Sequence, residues 1–206
     1  MEESKATDAT AAKAPPSDGQ LVEQCLAGRK EAFDELIRRY QRAAVTVSYR
    51  FLGSTHDAAE VTQDAFLKAY ANLRTLEQPE AFRGWLMRIV SNLSLNYRRS
   101  RKTRRQLPLD DILGATEGGE RSGGGSEWMG RDTTPAHALE SKELGEKLQR
   151  ALELLPEKQR MAIVLFAIQE MPQKDVAAIL QCSVEAVKWH VFQGRKKLKD
   201  ILKEQL

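Results

Sequence analysis

QKDVAAILQCSVEAVKWHV, residues 173–191, reads as two short helices meeting at a tight corner. Val176, Ala177 and Leu180 share one face of the first helix, and Val184, Val187 and Val191 share one face of the second. Gln181, Cys182 and Ser183 make the corner, where the Ser183 hydroxyl is placed to accept a backbone N–H and cap the second helix. This layout, Gln173 to Leu180 and then Val184 to about Leu202, is that of a helix-turn-helix. In such motifs the outward side chains at the start of the second helix reach base edges in a major groove. Ser183, Glu185, Ala186, Lys188, Trp189 and Gln193 fall there, and Arg195, Lys196, Lys197 and Lys199 follow as cations suited to phosphates. A helical bundle with a solvated Lys-rich end has the same pattern, so this stretch alone says only DNA binder.

Upstream, helical periodicity runs through Leu139, Leu144, Leu148, Ala151, Leu152 and Leu155, breaks at Pro156, and resumes over Glu157 to Gln169. Residues 139–206 thus form one small helical unit. Residues 106–138 contain GATEGGERSGGGSEWMGRDTTP, too rich in Gly, Ser, Thr and Glu to build a core, and are expected to be a flexible linker. Trp128 and Met129 are apolar exceptions within it.

A second unit occupies residues 20–105. A short helix follows Asp18 and stops at Gly28; a long one runs from Glu31 to Leu52 with Phe33, Leu36, Ile37, Tyr40, Ala44, Val47 and Phe51 on one stripe. Another spans about Thr55 to Leu73, with Ala58, Ala65, Ala69 and Leu73 on its inner face, small enough for close helix contact. After Pro79, a further stripe is expected at Phe82, Leu86, Ile89, Leu93 and Tyr97. Residues 1–19 carry no apolar periodicity and are expected to be a disordered tail. The fold class is therefore all-α: two small helical domains joined by a linker.

Composition agrees with two soluble cores. Of 206 residues, 41% are hydrophobic and 30% charged, enough for both compact interiors and a solvated surface. No apolar run is long enough to cross a bilayer and the N-terminus lacks an export signal, so membrane insertion is not expected and the cytoplasm is. Cys25 and Cys182 form no C-x-x-C pair, and His56, His137 and His190 have no metal-ligand spacing, so no metal or cofactor is expected. Cys182 lies in the turn of the DNA-binding motif, where a redox switch is conceivable, but the expectation is a buried, inert thiol. No phosphate-cradling glycine loop, zinc set or nucleophile beside a base is visible, which argues against an enzyme and against a small-molecule substrate.

Two further patterns lie in the first unit. Asp57, Glu60 and Asp64, with Gln63 beside them, fall on a narrow arc of one helix, since steps of three and four nearly complete whole turns. Such a stripe repels itself unless something basic docks on it; an acidic first turn favoured by the helix dipole accounts for it equally well. On the helix from Phe82 onward, Arg88, Asn92 and Arg99 share a face with Trp85 near its upper end, and RRSRKTRR follows at 98–105. Cations, an amide and an aromatic together suit opened nucleic acid. The alternative is that Trp85 belongs to the core and Asn92 to an ordinary surface.

Three segments together resemble one family. FRGWLMRIVSNLSLNYRR (82–99) is similar to the promoter-melting helix of extracytoplasmic-function sigma factors, DAAEVTQDAFLKAY (57–70) to their polymerase-clamp-binding helix, and LPEKQRMAIVL (155–165) with the helix-turn-helix to their C-terminal domain. The resemblance covers about residues 20–105, as region 2, and 139–206, as region 4. It implies that Asp57, Glu60, Gln63 and Asp64 dock on bacterial core RNA polymerase, and that Asn92 lines a pocket for a base flipped from the −10 element. It implies further that Arg88, Arg98 and Arg99 hold the displaced strand, with Trp85, Arg101 and Lys102 in the same surface. Ser183, Glu185, Ala186, Lys188, Trp189, Gln193, Arg195 and Lys196 are implied at the −35 element, and an anti-sigma factor as a further partner. The sequence departs from the family pattern at Ala186, at Trp189-His190 and at Gly194, all on the −35-reading helix. The competing expectation is a conventional helix-turn-helix regulator whose first unit dimerises or senses a signal; it would bind duplex DNA without polymerase.

Overall fold

The computed structural model describes residues 15–106 and 135–204, and within them all side chains except those of 102, 104–106, 135–142 and 204. The expected tail up to residue 14, most of the expected linker, and Trp128 lie outside the described residues. The described residues are helical throughout, without a strand: α1 (Asp18–Leu26), α2 (Glu31–Leu52), α3 (Thr55–Ala71), two single 3-10 turns, and α4 (Phe82–Gln106) make the first unit. The second contains α5 (Pro135–Glu153), α6 (Glu157–Ala162) continuing into a π-helical turn (Ile163–Ile168), α7 (Gln173–Leu180) and α8 (Val184–Glu204). Helix is thus already present at Pro135, inside the segment read from sequence as linker, and at Asp18, inside the segment read as tail.

Local chemistry fixes these ends. Ser17 and Gln20 cap α1 reciprocally: the Ser17 hydroxyl accepts the Gln20 N–H, and the Gln20 side-chain oxygen accepts the Ser17 N–H. Gly53 closes α2 at φ 77°, a left-handed conformation that costs glycine nothing, and donates its N–H to the Tyr49 carbonyl. One residue later the Ser54 hydroxyl accepts the Asp57 N–H and starts α3.

The first core is built from Leu36, Val47 and Phe51 of α2, Ala58, Ala65 and Ala69 of α3, and Phe82, Leu86, Met87 and Val90 of α4. Phe82 is its aromatic hub, edge-on to Phe33 at 6.4 Å and near Tyr40 at 5.7 Å. The buried arc of α4 is not the one expected from its apolar spacing: Met87, Val90, Ser91 and Ser94 are inside, whereas Ile89, Leu93 and Tyr97 are only half-buried. Two serines make the difference. They are small enough to let α4 close on Ser48 of α2, and Ser94 meets its own polar need by donating to the Val90 carbonyl at 2.8 Å. A count of apolar residues cannot see them.

In the second unit, Leu152, Met161, Val164, Leu165, Val176 and Val187 are buried. The segment after Ala162, read from sequence as plain helix, widens into the π turn, whose Gln169 N–H reaches back five residues to Val164. Gly194 of α8 is buried against α6, and a Cβ there would lie 2.9 Å from Ile163 Cγ1. Gly194→Val is therefore expected to lower stability by about 1–3 kcal/mol through overpacking; urea denaturation followed by circular dichroism measures it, and an unshifted midpoint contradicts the close approach. The units pack together, α2 and α4 of the first against α5, α7 and the π turn of the second.

Candidate functional site

On α3, Glu60, Gln63 and Asp64 are exposed as one arc, as their spacing requires. Asp57 stands apart from them. It is only 8% exposed, accepts from the Tyr97 hydroxyl at 2.9 Å, and pairs with the Arg101 guanidinium. Burial first, and then the Asp57 carboxylate, push the Tyr97 phenol up to about 12. Asp57, Tyr97 and Arg101 thus tie the start of α3 to the distal half of α4, and both charged partners are committed within the chain. His56, Asp57 and Glu60 offer donor atoms within 4.8 Å of one another, but Arg101 already neutralises the central carboxylate.

Beside the acidic arc, α2 and α3 enclose an apolar groove of about 570 Å³, lined by Phe33, Ile37, Thr62, Phe66, Leu67 and Tyr70 among others. Leu67 and Tyr70 are largely exposed at its lip. Sequence reasoning passed over both, although two large apolar side chains off the buried stripe of α3 were the available signal.

On α4, Arg88 and Asn92 are one turn apart and both exposed. Trp85 is half-buried, its ring 6.1 Å from Phe82, so it has one foot in the core. Arg98 is turned inward, its guanidinium 5.3 Å from the Phe51 ring centroid. Arg99 lies 3.5 Å from Glu157 of the second unit. The Lys102 side chain lies outside the described residues.

The helix-turn-helix forms as its sequence dictates. Gln181 ends α7 at φ 51° and the Ser183 hydroxyl accepts the Ala186 N–H at 3.1 Å. Glu185, Lys188, Arg195 and Lys196 are exposed, Ala186 and Gln193 half-buried, and Trp189 is 53% exposed. Phe192, absent from the sequence-derived set, is 64% exposed and lies three residues beyond Trp189 on the same face. An aromatic pair flanked by Lys188 and Lys196 can meet thymine methyls while the cations meet phosphates. His190 packs 5.1 Å from Trp189, and burial, with Lys158 nearby, pushes its imidazole down, so it stays neutral at pH 7.

This arrangement has known counterparts. Residues 36–104 match the family model for Sigma-70 region 2, and residues 145–198 that for Sigma-70 region 4. The chain is 31% identical over 183 residues to the ECF RNA polymerase sigma factor SigW of Bacillus subtilis, covering 89% of this chain and 95% of that one. It is 32% identical over 182 residues to the ECF RNA polymerase sigma-E factor of Escherichia coli, covering 88% and 92%. Among solved structures, CnrH in complex with the cytosolic domain of CnrY superposes with a TM-score of 0.66 at 26% identity, over 93% of this chain and 100% of that one. Two helical units in the order region 2 then region 4, with 31% identity over 89% of the chain, place it in the ECF family of RNA polymerase sigma factors.

Proposed function

We propose that the surfaces of this sigma factor divide the work of promoter opening by helix. The Glu60–Gln63–Asp64 arc of α3 docks on core RNA polymerase, with Leu67 and Tyr70 supplying the apolar rim beside it. The Arg88–Asn92 face of α4, joined by Trp85, Arg98 and Arg99, captures the opened strand of the −10 element. The start of α8, from Ser183 through Trp189 and on to Gln193, Arg195 and Lys196, reads the −35 duplex. Asp57 and Arg101 serve these surfaces from behind, by holding α4 against α3.

One observation carries this assignment: the acidic arc and the cation-amide face lie on separate helices, α3 and α4, that pack on each other in one unit, so polymerase and DNA can be held together. Unstacking a base costs a few kcal/mol, which a pocket around Asn92 and phosphate contacts from neighbouring arginines must offset. Tethering both DNA readers to one large enzyme raises their effective concentration at paired sites, so neither need bind strongly alone. The assigned domains are 20–105 and 139–206, and the segment between them needs reach more than shape. Work of this kind is binding and geometry; RNA synthesis falls to the core enzyme, in the cytoplasm. Among the described residues no helix is long and apolar enough to cross a membrane. An anti-sigma factor is the expected antagonist, and the similar CnrH was solved in complex with another chain, the cytosolic domain of CnrY. A conventional regulator is disfavoured by the region 2 match.

Transcription in vitro with purified core polymerase on a genomic library tests the function and reveals the promoter sequence; absence of selected start sites on every template would reject it. Within that assay, Asn92→Ala is expected to reduce open complexes by about 1–3 kcal/mol, the worth of one good base contact. Permanganate reactivity of −10 thymines that matches wild type would remove Asn92 from the pocket.

A further inference from the structure

Opposite the buried side of α8, formed by Val187, Val191, Gly194 and Leu198, stands a row of exposed side chains: Glu185, Trp189, Phe192 and Lys196. Their steps of four, three and four residues keep them on one line along the helix. The row begins with a carboxylate, ends with a cation, and is apolar between, where both rings are more than half exposed. Lys188, Arg195 and Lys199 flank it along one side. In a helix-turn-helix the outer side of the second helix enters the groove, so these two rings stand where base edges would be met.

An exposed aromatic pair marks a partner, and its surroundings decide the kind. Lysine is depleted from the core of protein–protein interfaces, whereas Lys188, Arg195, Lys196 and Lys199 border these rings. That charge suits a phosphate backbone. Within a duplex a side chain meets only base edges, and the major groove presents donors, acceptors and a single apolar group, the C5-methyl of thymine. Phe192 has neither donor nor acceptor, and Trp189 has only its indole N–H. Arg, Asn and Gln, which read purines through paired hydrogen bonds, are absent from the row, and its one lysine stands at the far end. Gln193 lies half-buried to one side, and the Arg195 guanidinium lies 5.9 Å from the Phe166 ring centroid.

The half-buried His190 ring lies 5.1 Å from the Trp189 ring and edge-on to it, so the indole is partly ordered before DNA arrives and less freedom is lost on binding. At about 1.5 Å of rise per residue, Trp189 and Phe192 stand about 4.5 Å apart along the helix axis. Successive base pairs are about 3.4 Å apart. The rings therefore address neighbouring base pairs.

We propose that Trp189 and Phe192 specify two neighbouring A·T pairs of the −35 duplex by packing on the thymine C5-methyl groups, while the flanking cations hold phosphates. This specificity rests on the assignment of α8 to the −35 element and names the base group that α8 recognises there. Sequence preference then comes from apolar contact, with no paired hydrogen bond to a purine at the centre of the row.

Holoenzyme assembled from the full chain and core RNA polymerase would select promoters from a library randomised upstream of the start site. Each thymine in the −35 region of a selected promoter, on either strand, would then be replaced in turn by deoxyuridine. The replacement keeps every hydrogen-bonding group and removes only the methyl. At two neighbouring positions it is expected to weaken occupancy by the wild-type holoenzyme about fourfold each, the worth of one buried methyl-sized group, and about fifteenfold together. Trp189→Ala should lose the response to uracil at one of the two positions and Phe192→Ala at the other. Both side chains are exposed, so helicity by circular dichroism should hold in each variant. Trp189→Phe, which keeps an aromatic face, should retain most of the response. Absence of a uracil-sensitive neighbouring pair, or a pair equally sensitive in both alanine variants, would overturn the methyl contacts. Loss of polymerase capture in the alanine variants, with the uracil response intact, would overturn them in favour of a protein partner for the rings. Promoters that are selected yet indifferent to uracil would leave sigma function standing and remove only this specificity, whereas failure to select any promoter would remove the function and this specificity with it.

Discussion

Replacing Glu60 and Asp64 together by lysine is expected to abolish capture of the chain by core RNA polymerase while leaving its helices intact. Both side chains are exposed on α3, one turn apart, and neither is paired with a cation across a salt bridge among the described residues. Surface substitutions of this kind usually change stability by no more than about 0.5 kcal/mol. Against a basic docking partner the effect is of another size. Like charges set opposite each other across an interface cost several kcal/mol, and each 1.4 kcal/mol is tenfold in affinity, so capture should fall by at least about a hundredfold. Retention on immobilised core enzyme, with circular dichroism as the control for folding, measures it. Co-purification at the wild-type level would show that the arc is only a solvated face with a favourable helix dipole. Asp57 makes a useful contrast: because it is tied to Tyr97 and Arg101, its loss should loosen α4 and lower stability before it touches docking.

That contrast marks the limit of what the sequence discloses. The spacing of Asp57, Glu60 and Asp64 correctly places them on one helix, and periodicity plus Gly53 sets the ends of α2. Spacing is silent on what lies across from each position. Whether a carboxylate faces solvent or a tyrosine 40 residues away is a tertiary fact, and no helical wheel contains it. The same reason hides the buried serines of α4, Ser91 and Ser94, which behave in the core as small residues, the Ser94 hydroxyl being satisfied locally by the Val90 carbonyl. The helix-turn-helix was more legible because its determinants are local: a capping serine, a short corner, and valines at helical spacing. Phe192 was missed because an aromatic residue on a helix is ordinarily core, and only the packed structure shows it outside. Arg98 is a further case: it stands in a run of basic residues, and nothing local discloses that its guanidinium packs toward the Phe51 ring.

Phe82→Ala is expected to be the most damaging single substitution for the first unit, lowering its stability by about 3–5 kcal/mol. Phe82 is fully buried as the first residue of α4, and it is where Phe33, Tyr40 and Trp85 converge. Removing its ring leaves a cavity at the point where α2 and α4 meet, and Phe33, edge-on to it, and the tilted rings of Tyr40 and Trp85 lose a shared partner. The loss has a functional signature too. Trp85 leans on Phe82, and Arg88 and Asn92 follow within two turns, so a loosened start to α4 should cut open-complex formation more than it cuts polymerase capture through α3. Phe82→Leu, which keeps most of the volume, should recover much of both. Urea unfolding of the full chain would then show an early transition for the α1–α4 unit separated from a later one for α5–α8. The Arg160–Phe51 hydrogen bond joins the two units, so the later transition should also begin at lower urea than in the wild type. A single transition at the wild-type midpoint would mean that Phe82 is not the hub of this core, and that the geometry of the strand-capturing helix is set elsewhere.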